Sequence, residues 1–239
     1  CDTTANGNCA HAEGIKTYVG QDWAHAEGYY TTAIGSASHS EGWQTQAIGN
    51  YSHSQGASTS AIGSWSDANG FETVASGDYS HTEGANTTAC KSYTHAEGIA
   101  SYAFGYGSRT EGCDTSAIGD YSHAEGYYSV AEGQHSHAEG NYTSAVRTDS
   151  HAEGSATSAI GDYSHAEGSN TKAYGNYSHS EGLSTSANGE CSHTEGAGTS
   201  AGGANSHAEG SGTAANGFSS HAEGVNTIAS SDMQHTEGK

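Results

Sequence analysis

The sequence contains no proline, and it is short of most residues from which a globular core is built. Phe occurs three times and Met once, and hydrophobic residues fill only 32% of 239 positions. That is too little for a conventional core. Six Lys and Arg stand against 27 Asp and Glu, a formal net charge of −21. So acidic a chain disfavours nucleic acid and anionic membranes as direct partners. No apolar run reaches the length of a membrane helix, and no signal peptide is visible. Low hydrophobicity with high net charge ordinarily signals disorder. Fifteen Tyr, three Trp and a strict internal period argue against that here.

Cysteine is also sparse, at Cys1, Cys9, Cys90, Cys113 and Cys191. The number is odd, the positions are scattered and no CxxC occurs, so neither a zinc knuckle nor a disulfide framework is indicated. Cys1 with Cys9, or a Cys with its copy in another chain, are the pairings left open. Isolated thiols filling repeat columns are the preferred reading. The chain opens at Cys1 inside the repeat pattern and without Met. It is therefore expected to be a fragment or processed product, without neck, stalk, membrane-anchor or chaperone segments in its 239 residues.

What the sequence does contain is a 14-residue period without insertion or deletion. One column is His11, His25, His39, His53, Asp67, His81, His95, Arg109, His123, His137, His151, His165, His179, His193, His207, His221 and His235. The column two residues on is Glu13, Glu27, Glu41, Gln55, Asn69, Glu83, Glu97, Glu111, Glu125, Glu139, Glu153, Glu167, Glu181, Glu195, Glu209, Glu223 and Glu237. The next column, Gly14 to Gly238, never varies. Half a period away lies a second motif, Thr31-Thr32-Ala33-Ile34-Gly35, then Thr45-Gln46-Ala47-Ile48-Gly49.

Frequent Gly and the wrong periodicity exclude a helix. Two five-residue strands per turn, joined by two-residue corners, fit instead. Strand side chains alternate, so Ser, Ala and Gly of SHAEG share one face and His and Glu the other. Thr, Ala and Gly of TxAxG share the matching face, with Gly supplying any positive φ at the corners. The predicted fold is an all-β solenoid of about 17 turns spanning residues 1–239 as one repetitive domain. At roughly 4.8 Å per turn it makes a rod about 80 Å long. An interior of Ser, Thr, Ala and Gly buries too little apolar area to offset backbone entropy. An outward face should therefore be covered by another chain. The near-invariant His–Glu face is the candidate, because equal contacts at every level arise most simply on the axis of a parallel homo-oligomer.

Alternating S-x-A-x-G and T-x-A-x-G strands in a 14-residue unit resemble the Hep/Hag head repeats of YadA-like trimeric autotransporter adhesins. In those heads the first motif typically reads S-V-A-I-G; here Ser150-His151-Ala152-Glu153-Gly154 keeps the small residues and puts His and Glu in the apolar places. The SHAEG variety is also similar to fibre proteins of bacteria, phages and prophages. The resemblance spans essentially the whole chain. It implies a left-handed parallel β-roll, three chains side by side, and an extracellular, non-enzymatic fibre role on a cell surface or virion. A phage tail-fibre shaft is the alternative to a cell adhesin. Expected partners are the chain itself and a host surface protein or glycan, with no direct membrane insertion.

The His–Glu pair has three readings. A catalytic pair need occur once per site, and no Ser-His-Asp constellation, P-loop or HExxH accompanies this one. Metal binding needs His and carboxylate together, yet residues two apart on a strand lie roughly 7 Å apart. Other turns or chains would have to contribute, and no cofactor is assigned. Asp67 with Asn69 forms a candidate ion layer, and Arg109 a candidate anion holder. The structural reading is preferred: a Glu ladder repels itself, and a His ladder beside it supplies donors.

The outer columns include an aromatic corner, with Trp23, Tyr51, Trp65, Tyr79, Tyr93, Tyr121, Tyr163 and Tyr177, adjoined by Tyr29, Trp43, Phe71 and Tyr127. Packing between chains accounts for most of these rings. Trp23, Trp43, Tyr51, Trp65 and Tyr79 are the candidates for surface contact with a protein or sugar. An ice-binding Thr array is disfavoured, since the regular Thr column shares the inward parity of Ala and Gly.

Overall fold

A computed structural model describes residues 2–238, grouped into two compact units, Cys1–Tyr121 and Ser122–Lys239. Each unit is a parallel β-solenoid with 14 residues per coil, and no helix occurs among the described residues. The first unit has eight strands of one kind, from His11–Ile15 to Arg109–Cys113, and nine two-residue strands, from Thr4–Ala5 to Ser116–Ala117. The second has nine of the first kind, from His123–Tyr127 to His235–Glu237, and eight short ones, from Val130–Ala131 to Ile228–Ala229. Strands pair in register with their copies one repeat away, as His151 with His165 and Ala159 with Ala173.

The expected interior is present. Ala152, Ala159, Ala166 and Ala173 are fully buried, and Val19 is the bulkiest fully buried side chain. The buried Ser hydroxyls at the start of each long strand are paired in a repeating way, whereas several buried Thr hydroxyls, among them those of Thr157, Thr171 and Thr199, have no hydrogen-bond partner. Ser164 Oγ donates to Gly161 O at 2.6 Å, and Ser178, Ser192 and Ser206 repeat this bond to Gly175, Gly189 and Gly203. Where Ser replaces Ala inside, it meets a Thr hydroxyl, as Ser54 with Thr59 at 2.7 Å. Unpaired hydroxyls there would each cost about 1–3 kcal/mol. Cys9, Cys90, Cys113 and Cys191 are free thiols. Cys1 lies outside the described residues, and with it the Cys1–Cys9 pairing.

Three local expectations change. The two strands of a coil are not equal. His137–Asn141 is five residues long, but Ser144–Ala145 has only two. The left-handed corner at Tyr142 and the turn at 147–149 clip that limb on either side. Second, Gly154 does not share the inward face of Ser150 and Ala152. Its φ of 105° interrupts the alternation and leaves it exposed. A Cβ there would lie 2.2 Å from Gly168 O in the next coil. Gly161 is needed for a different reason: it is buried, and a Cβ would lie 2.0 Å from Gly175 O.

Third, the corners are turned chiefly by residues other than Gly. Among the described residues thirty non-glycine residues have φ near +55°, in two columns that run through Trp23, Tyr51 and Tyr163, and through Tyr30, Tyr142 and Ala156. Such a backbone costs an L-residue roughly 1–2 kcal/mol. The compensation is visible in the hydrogen bonds. Strand N–H groups donate to the following coil, as His151 to Ser164 O at 2.9 Å. Corner N–H groups donate to the preceding one, as Tyr163 to Thr148 O at 2.9 Å and Ala156 to Asn141 O at 2.8 Å. The positive φ reverses the peptide plane and ties each coil to its neighbours on both sides.

Candidate functional site: the His–Glu column

Parallel pairing in register places every His directly over its copy. In the second unit the rings from His123 to His207 stack 4.7–4.9 Å apart with interplanar angles of 1–7°. The strand spacing dictates this distance. The first unit is less regular. His25 and His39 stack at 4.8 Å and 8°, whereas His39 and His53 are tilted by 53°.

In most coils the Glu does come within 4 Å of its own His, closer than strand geometry suggests. Nε2 to Oε2 distances are 3.6 Å for His137–Glu139, His151–Glu153 and His165–Glu167, and 3.7 Å for His179–Glu181. The 7 Å figure holds for Cβ atoms, and both side chains are long enough to lean towards each other along the strand. At His11 the pair closes to 3.4 Å, within hydrogen-bond range. In the second unit the approach stops short of a hydrogen bond. The Nε2 atoms of His137, His151, His165, His179, His193, His207 and His221 are shielded from solvent and lack a hydrogen-bond partner within the chain. Burial, and then the neighbouring imidazoles, lower the pKa of His151, and Glu153 opposes them. Burial and His179 do the same to His165. At His151 and His165 the neutral imidazole is therefore favoured.

Coil 67–69 breaks the pattern. Asp67 sits between two rings, with Oδ1 3.0 Å from His53 Nδ1 and Oδ2 3.3 Å from His81 Nδ1. Burial works to raise the Asp67 pKa, but the two His hydrogen bonds outweigh it and hold the carboxyl well below its usual range. The hydrogen bond each ring donates to Asp67 raises His53 and His81 in return. Both carboxylate oxygens are thus engaged within the chain. Asn69 keeps a buried Oδ1 without a partner. Arg109 pairs through its guanidinium with Glu111 on its own strand.

Tyr51, Trp65, Tyr79 and Tyr93 form one exposed stack, with centroids 4.2, 6.3 and 5.2 Å apart and planes within 10°. Trp23 is 66% exposed and lies between Cys9 and Ala37 in its column, outside this stack. Trp43 is exposed in the other corner column. One further column does not stand out from the sequence alone. The side chains of Asp22, Asn50, Asp78, Asp120, Asn176 and Asp232 each accept a backbone N–H from the preceding coil, at 2.7–3.0 Å. Its signal was the recurrent G-[DN]-Y-S-H at 49–53, 77–81, 119–123, 161–165 and 175–179. His135, the one His outside the column, lies 3.5 Å from Asp149 in the next coil.

The family model described as YadA head domain repeat (2 copies) matches residues 22–42, 96–122, 112–136 and 124–146. No curated protein matches the chain. The matched segments are made of the coil just described, an inward Ser/Thr–Ala limb, a stacked outward column and left-handed corners. Over residues 22–42 and 96–146 the chain is similar to YadA head domain repeats.

Proposed function

We propose that the chain is a structural and adhesive segment of an extracellular surface fibre, without enzymatic activity. Three copies lie side by side in a left-handed roll, and the His–Glu column of each faces the shared axis. The observation that carries this reading is the run of shielded Nε2 atoms without a hydrogen-bond partner, repeated from His137 to His221. Polar groups so placed are costly unless a partner completes them. An identical row from a second and third chain supplies the same partner at every level. The YadA head repeats support the surface-fibre role.

Adhesion then falls to faces that remain outside. The exposed Tyr51–Trp65–Tyr79–Tyr93 stack offers aromatic edges to a host protein or glycan. A groove lined by Tyr30, Thr32, Gln44, Gln46, Ser58, Thr59 and Ser60 carries no charged side chain, unusual in so acidic a chain. That lining suits a neutral, hydroxyl-rich ligand. Cross-linking of the purified chain tests the assembly. A three-chain product lost on replacing the His–Glu column supports it, and a monomeric folded chain sinks it. Binding of immobilised glycans, with Trp65→Ala and Gln46→Ala as controls, tests the adhesive faces. No binding that depends on either residue removes that part.

A further inference from the structure

The second unit holds a repeated donor set on the same His–Glu column that the fibre reading turns towards the shared axis. In His137–Glu139–His151, His151–Glu153–His165, His165–Glu167–His179 and His193–Glu195–His207, one ligand atom of each residue lies within 4.8 Å of the other two. Two imidazole nitrogens and a carboxylate oxygen suit a borderline-soft ion such as Zn²⁺, rather than Mg²⁺ or Ca²⁺. The Nε2 atoms concerned have no hydrogen-bond partner within the chain, so no existing bond must be broken.

The distances decide how an ion fits. His Nε2 and the Glu Oε2 of its own coil are 3.6 Å apart. Bonds of about 2.0–2.1 Å to both subtend an angle of about 120°, close to tetrahedral. The next ring is stacked 4.7–4.8 Å away, whereas two such bonds span at most about 4.2 Å. The second imidazole must therefore swing in by roughly 1 Å, which the broad χ2 well of His permits. A ring drawn to one neighbour moves away from the other, and doubly charged ions in adjacent gaps repel. Alternate gaps should fill.

We propose that the His–Glu column of the second unit is a binding array for divalent transition-metal ions, one ion held in every other gap between successive coils. Nine His from His123 to His235 then hold about four ions. In the first unit Asp67 engages His53 and His81, which breaks the array there. The three ligands of each ion come from one chain, and at a filled gap the ion takes the place of the partner that another chain would supply to the same Nε2 atoms.

The test is equilibrium dialysis of the full chain against Zn²⁺ alone at pH 7.5, with the bound metal counted per chain. Four or more Zn²⁺ ions, retained in a large excess of Mg²⁺, are expected; fewer, or displacement by Mg²⁺, overturns the proposal. Affinity should fall more than about tenfold at pH 5.5, because each ion displaces protons from imidazoles. The variant Glu139→Gln with Glu153→Gln, Glu167→Gln and Glu195→Gln should lose at least one ion while keeping its far-ultraviolet spectrum. An unchanged count overturns the proposal. Should that variant fail to fold, Co²⁺ added to the unaltered chain decides: intense visible absorption of four-coordinate Co²⁺ supports the array, and only the weak octahedral spectrum refutes it.

Discussion

Two neighbouring residues should respond to mutation in opposite directions. Gly154 and Ala156 lie two apart at one corner, and both have positive φ, 105° and 55°. Gly154→Ala adds a Cβ 2.2 Å from Gly168 O, roughly 1 Å inside ordinary contact, in a backbone region closed to L-residues. Neither the carbonyl nor the coil can move freely, because Ala156 N–H is bound to Asn141 O and His151 N–H to Ser164 O. The expected loss is more than about 3 kcal/mol, from combined clash and strain. Ala156→Gly removes a left-handed penalty of roughly 1–2 kcal/mol. It also adds flexibility to the unfolded chain worth about 0.5–1 kcal/mol, so a net gain of about 0.5 kcal/mol is expected. Urea titration followed by far-ultraviolet circular dichroism measures both. Because a repeat array need not unfold in one step, midpoints are compared rather than extrapolated energies. A Gly154→Ala midpoint equal to that of the parent would show that the coils are not stacked in this register. A destabilised Ala156→Gly would show that the corner is not left-handed.

Three further expectations follow from the same geometry. Ser164→Ala leaves Gly161 O without its buried donor and should cost about 1 kcal/mol in denaturation, whereas Ser164→Thr should cost less, since Thr94 already makes this bond to Lys91 O. Acidification should weaken the second unit. His151 and His165 are held below 6.5, by burial first, so the unfolded chain binds protons that the folded chain refuses, and stability falls as pH drops below about 6.5. The His53–Asp67–His81 cluster has the opposite sign. Its raised imidazoles stabilise fully below 6.5 and lose that contribution as pH rises through their folded values. Asp67→Asn should lower both imidazole pKa values, read by NMR titration of the ring protons; unchanged values would refute the cluster.

Period and parity alone made the coil legible. The 14-residue columns placed Ser150 and Ala152 inside and His151 and Glu153 outside, and the buried Ala and Ser rows agree. The corners were not legible, because Trp, Tyr and Ala are poor left-handed residues by propensity. What holds Tyr163 and Ala156 there is hydrogen bonding to the previous coil, a contact 15 residues away that no local window contains. The Asx column was missed for a related reason: Asn50 and Asp78 looked like ordinary turn residues, while their oxygens serve Ser36 and Ser64 one coil back. The His–Glu approach was misjudged because strand spacing fixes Cβ positions, not the reach of two long side chains.

The central claim is that the His–Glu column is completed by other copies of the chain. Sedimentation equilibrium of the full chain at neutral pH tests it most directly. Three chains of 24.3 kDa sedimenting as one species of about 73 kDa is the predicted result. A folded species of 24.3 kDa would contradict it.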